Sequence, residues 1–134
     1  MTKLNTLFSR LLTVASLLLA ACAPMVSTAP VAFTPFAGEA AQATVLELRA
    51  PLELRLPTGY SRVLAKGSRW QVVGQVPQGT VYRPMNSVFS IEGRQVHEAY
   101  LVIDHTALTG FYLPGEARFS PLDPSVQLPT GAFQ

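Results

Sequence analysis

An all-β fold, a small antiparallel barrel or sandwich of about seven short strands, is predicted by three features of the sequence. Period-two alternation of apolar and charged residues runs from Thr44 to Leu56. Turn signals then recur at short intervals, at Pro57-Thr58-Gly59, Lys66-Gly67-Ser68, Pro77-Gln78-Gly79, Pro84-Met85-Asn86, Glu92-Gly93-Arg94, Thr109-Gly110 and Pro114-Gly115. No comparable window of this region carries the 3.6-residue period of an amphipathic helix.

The chain opens with a polar stretch, Met1 to Arg10, whose charges are Lys3 and Arg10 and which has no acid. Leu11 to Leu19 is apolar apart from Thr13 and Ser16. This is the pattern of a secretory signal peptide, and the run is about half of the ~20 residues that a spanning helix needs. Residues 1–21 are therefore read as a leader that is removed. It ends in Leu19-Ala20-Ala21-Cys22, which holds the single cysteine of the chain.

Those four residues are similar to the lipobox of bacterial lipoproteins, a Leu, two small residues and an acceptor cysteine. The resemblance covers the first 22 residues and nothing more. It implies that the Cys22 thiol receives a diacylglycerol, that cleavage falls before it, and that the new amino terminus is acylated too. Leu19, Ala20 and Ala21 would be the processing residues, with Ala20 and Ala21 small enough for the backbone to enter a membrane-embedded peptidase. Two or more acyl chains, at ~0.8 kcal/mol per buried CH₂, make attachment stable. In lipoproteins of Gram-negative bacteria an Asp after the cysteine favours retention in the inner membrane; Ala23 stands here, which implies the outer membrane. The plain alternative is an ordinary cleavage site among Ala20, Ala21 and Ala23.

Residues 22–43, the acceptor cysteine followed by Pro-, Ala-, Ser- and Thr-rich chain, are expected to form a flexible, extended linker. At ~3.1 to 3.5 Å per residue it would reach ~60 to 70 Å. Phe33 and Phe36 are unusual in such a segment, and the alternative has them packing on the domain or on a neighbour.

The β domain is expected over residues 44–122. Thr44, Leu46, Leu48, Ala50, Leu52, Leu54 and Leu56 share one face, with Glu47, Arg49, Glu53 and Arg55 on the other. Pro51 lacks an N–H and marks an edge, a bulge or a break between two strands. Further strands are expected over residues 60–65, 69–76, 80–83, 87–91, 95–104 and 108–113. The central one is 95–104, whose odd face (His97, Ala99, Leu101, Ile103) would be core and whose even face (Val96, Glu98, Tyr100, Val102, Asp104) would be wetter. Trp70, Val72, Phe89, Ile91, Phe111 and Leu113 would face it. After Pro114 the chain is proline-rich, and residues 123–134 are expected as an irregular tail that adds little to the core.

Composition excludes some functions. Ten cations face eight acids, but Lys3 and Arg10 lie in the leader, so the mature chain is neutral and carries no nucleic-acid footprint. An acylated Cys22 leaves no thiol for a disulfide. The two histidines, His97 and His105, would stand ~26 Å apart on one extended strand, too far to share a metal. No metal, cofactor or catalytic residue is expected. Asp104-His105 with Ser87 or Ser90 would be the material of a hydrolytic triad, but adjacent strand residues point to opposite faces.

Tyr82, Arg83, Arg94 and Tyr112 stand beside turns and belong to the residue types enriched in binding hot spots; together they form the candidate interaction surface. The sequence thus describes a non-enzymatic lipoprotein attached to the membrane through Cys22, on the periplasmic face of the outer membrane. It would present its β domain to another envelope protein as a binding or assembly module. The alternatives are a carrier or sensor barrel holding a small apolar ligand, and a cell-envelope hydrolase using His97 or His105.

Overall fold

The computed structural model describes residues 22–39 and 44–129, and among them the regular structure is antiparallel β. In chain order the strands are β1 (Ala29–Pro30), β2 (Thr34–Pro35), β3 (Val45–Glu47), β4 (Leu52–Arg55), β5 (Ser61–Leu64) and β6 (Arg69–Val76). They continue with β7 (Gly79–Pro84), β8 (Ser90–Glu92), β9 (Val96–Glu98), β10 (Tyr100–Asp104), β11 (Ala107–Leu113) and β12 (Arg118–Gln127). The main sheet runs β1-β12-β11-β10-β7-β6-β2, with β3 also on β6; β4-β5 and β8-β9 are separate hairpins.

The leucines between Leu46 and Leu56 turn to the core as predicted, while Thr44 and Ala50, expected on the same face, are exposed. Leu48, Leu54 and Leu56 are buried, and Leu46 and Leu52 pack against the same core. Pro51 falls in a break between β3 and β4, so β3 pairs with β6 while β4 turns away to pair with β5. Of the expected facing residues, Trp70, Phe89, Ile91, Phe111 and Leu113 join Ala99, Leu101 and Ile103 in the larger of two cores; Val72 is buried outside it, and His97 keeps partial exposure. Each fully buried Leu, Ile or Phe there contributes about 1.5–3 kcal/mol of burial.

Strand alternation runs on through the sheet and builds a second core on its other face. Leu101 and Ile103 face the first core, and Val102 between them is fully buried in the second; Phe111 and Leu113 likewise flank Tyr112. A bulge between Val72 and Gly74 carries β6 from one core to the other, with Trp70 in the first and Val76 in the second. The even face of 95–104, expected to be the wetter one, is therefore covered at Val102. The stretch is also divided at Ala99, whose N–H donates to the Phe89 carbonyl at 2.9 Å.

The second core is covered by residues 29–35. β1 pairs with β12 at one margin of the sheet, β2 pairs with β6 at the other, and residues 31–33 join them. One seven-residue stretch thus meets both margins of the curled sheet and closes the curl, with Val31 and Phe33 packed against the second core. The segment expected as a linker is extended, but residues 29–35 of it are a stave of the sheet. Composition concealed this, because a Pro-, Ala- and Thr-rich segment needs no side-chain periodicity of its own when two existing edges supply backbone partners.

The C-terminal expectation is also corrected. The boundary drawn after residue 122 falls inside β12, which pairs along β11 and places Phe119, Ser120 and Leu122 among the buried residues, with Leu128 following. Its prolines are tolerated because β1 takes up the outer edge at Arg118 and Phe119, before Pro121 begins to withhold donors. Residues 122–125 bulge between the pairs Gly110↔Pro121 and Leu108↔Val126.

Candidate anchoring site and neighbouring surfaces

Cys22 is exposed at the start of the described chain, and Leu19, Ala20 and Ala21 lie outside the described residues. Contact with the domain begins two residues later, where the Pro24 carbonyl accepts from the Arg94 N–H at 2.9 Å. Val26 packs against the larger core, and Thr28 is held by Arg118, with Nε on its Oγ1 at 2.7 Å and Nη2 on its carbonyl at 3.2 Å. The Val31 N–H then donates to the Ala117 carbonyl at 3.3 Å and the Phe36 N–H to the Val73 carbonyl at 3.1 Å. Gly93 fits under this segment because it has no side chain: a Cβ there would stand 2.7 Å from the Pro24 carbonyl oxygen and 3.0 Å from Val26 Cγ2.

Beside residues 24–28 is a hollow of about 220 Å³, lined among others by Met25, Arg94, His97, Glu116 and Arg118. His97 is largely buried, and its Nδ1 lies 2.7 Å from Glu116 Oε1. His97 pairs with Ile91 across β8-β9 while Ser90 pairs with Glu98, so the serine and the histidine project to opposite faces of that hairpin. His105, in the β10-β11 turn, is 92 % exposed, and its Nε2 stands 3.7 Å from Asp104, beyond hydrogen-bond length. Among the described residues no group of three or more His, Cys, Asp or Glu side chains is gathered as metal ligands would be.

The four residues of the candidate interaction surface are not brought together. Tyr82 packs against the larger core, and burial pushes its hydroxyl pKa upward. Arg83, next along β7, points to the other side, where it bonds Gln71 Oε1 at 3.0 Å. Tyr112 is buried under Phe33, and Arg94 sits in the β8-β9 turn beside Pro24. The sequence places Tyr82 and Arg83 side by side, but neighbours on a strand occupy opposite faces. Near Arg83, Tyr100 is also pushed upward, first by burial and then by the Glu98 carboxylate, against a lowering contribution from Arg83.

The apolar hollow between Val26, Leu56, Ile91 and Phe111 measures about 20 Å³, the space of about one water molecule. Among the described residues no helix is long and apolar enough to cross a membrane. Of the residues that tie the N-terminal segment to the domain, Arg94 belongs to the candidate interaction surface for its side chain, whereas the tie runs through its backbone; Pro24, Thr28 and Arg118 carry no local sequence signal for contacts between distant segments. No family model, curated protein or solved structure matches the chain.

Proposed function

We propose that this chain is a lipid-anchored protein of the bacterial cell envelope, acylated at Cys22, whose small β domain acts as a non-enzymatic binding or assembly module for another envelope protein. The observation that carries the reading is Leu19-Ala20-Ala21-Cys22 at the end of a leader-like apolar run. The exposure of Cys22 ahead of the first strand is consistent with a thiol open to modification. Ala23 in the position after the cysteine favours the outer membrane, with the domain on the periplasmic side.

The rival readings have less support. A carrier barrel needs an internal cavity, and the apolar hollow between Val26, Leu56, Ile91 and Phe111 has room for about one water molecule. A hydrolase needs a base in hydrogen-bond contact with an orienting acid and a nucleophile; His105 is solvated, and Ser90 projects away from His97. Mass spectrometry of the membrane-extracted protein beside a Cys22→Ser variant tests the proposal. A mature chain beginning at acylated Cys22, with the variant unprocessed or unmodified, is the expected result. A wild-type chain with a free Cys22 thiol refutes it.

A further inference from the structure

The distance from the anchor to the domain decides how the domain meets the membrane. Between Cys22 and the hydrogen-bonded carbonyl of Pro24 there are two residue steps, at most about 7 Å of extended chain. Beyond Pro24 the chain is bound through Val26, Thr28, Val31 and Phe33. The ~60 to 70 Å reach expected for a free spacer shrinks to roughly the thickness of one headgroup layer, which is about 5–7 Å.

We propose that acylated Cys22 holds this end of the β domain directly against the phospholipid surface, with Met25 and Arg94 in the headgroup layer. The inference rests on the acylation proposed above. Met25 is 67 % exposed although apolar, and it follows Pro24 immediately. Arg94 is exposed beside it, and its backbone is the group that holds the Pro24 carbonyl. An apolar side chain and a cation next to a lipid attachment point suit an interface of acyl chains and anionic phosphates. The opposite end of the sheet, with Asp104 and His105 in and beside the β10-β11 turn, is then the end that faces the periplasm. It stands about 20 Å from Leu113, which lines the hollow beside Met25.

The test uses the full chain, extracted from membranes and reconstituted in vesicles of phosphatidylethanolamine and phosphatidylglycerol containing a nitroxide-headgroup lipid. With the native thiol acylated, Met25→Cys and Asp104→Cys each supply one site for a fluorophore. The expected result is quenching several-fold stronger at position 25 than at 104. A Gly/Ser insert of about ten residues between Ala23 and Pro24, with an r.m.s. span of ~17 Å, is expected to erase that difference. Mass spectra of the same samples separate anchoring from orientation. Acylated protein quenched equally at both positions, or a difference that survives the insert, overturns the orientation and leaves the anchor standing. A free Cys22 thiol overturns the anchor, and the orientation with it.

Discussion

The ring of Phe33 lies on the ring of Tyr112, with centroids 4.8 Å apart and planes 14° from parallel. The pair joins the stretch that closes the sheet to β11 in its interior. Phe33→Ala is expected to lower stability by about 2 kcal/mol, less than for a fully enclosed Phe because Phe33 keeps some exposure. Phe36, at 37 % exposure, is expected to cost under about 1 kcal/mol when replaced by Ala. Urea unfolding of the mature chain carrying Cys22→Ser measures both; equal losses would contradict the docking described.

Gly74 stands under the same stretch. A Cβ there would meet the Thr34 carbonyl oxygen and stand 2.5 Å from Phe33 Cζ. Gly74→Ala is therefore expected to cost about 1–3 kcal/mol by overpacking. Combined with Phe33→Ala, the two losses are expected to sum to less than their parts, since each loosens the same segment. A double-mutant cycle in urea reads this directly, and full additivity would speak against a shared contact.

Much of the fold is legible in the sequence where side chains alone specify it. Leu46 to Leu56 alternate as a half-buried strand must, and Trp70, Phe89, Ile91, Phe111 and Leu113 meet in one core. The parts that escape are those specified by backbone pairing or by register. Pro121 and Pro124 make β12 read as tail, although an edge position accepts them. The bulge between Val72 and Gly74 moves β6 between cores without any mark that alternation counting detects. At the candidate site, Leu19-Ala20-Ala21-Cys22 is readable because it is a contiguous string of residues. The proximity of Pro24 to Arg94 depends on long-range contacts and is not.

β12 is expected to be indispensable. Leu122→Ala, at 5 % exposure in the larger core, is expected to cost about 2–4 kcal/mol. Truncation after Ala117 removes a whole neighbour of β11 and is expected to abolish cooperative unfolding. Circular dichroism melts of the two variants check this; a native-like melt for the truncated chain would restore the tail as an appendage.

Tyr82 and Tyr100 make stability depend on alkaline pH. Both hydroxyls titrate above the ordinary value of 10.0 in the folded protein, Tyr82 by burial and Tyr100 chiefly so. The native state thus holds these protons more tightly than the unfolded chain. Their contribution is complete below pH 10 and is lost as pH rises through the folded-state values. Unfolding free energy is expected to fall above pH 10, and to fall less steeply in Tyr82→Phe. Urea titrations across that range, beside the phenolate absorbance, decide the matter; an unchanged slope would remove Tyr82 from the account.

Arg62 joins two hairpins, with Nη1 3.3 Å from Glu92 Oε1 and its guanidinium carbon 5.3 Å from the Phe89 ring centroid. Both ends of the ion pair keep solvent contact, so a coupling of about 0.5–1 kcal/mol is expected between Arg62→Ala and Glu92→Ala. It is expected to weaken with added salt. A coupling that ignores salt would point to the packing of Arg62 on Phe89 instead.

Amide hydrogen exchange at Val31 and Phe36 in the mature chain tests most directly whether the N-terminal stretch closes the sheet. Their N–H groups donate to the Ala117 and Val73 carbonyls, at opposite margins of the sheet. Protection of at least about a hundredfold over free chain at both amides is the predicted result. Exchange at the free-chain rate at both would show that the stretch is an open spacer, and would return to Cys22 the long reach that its composition suggests.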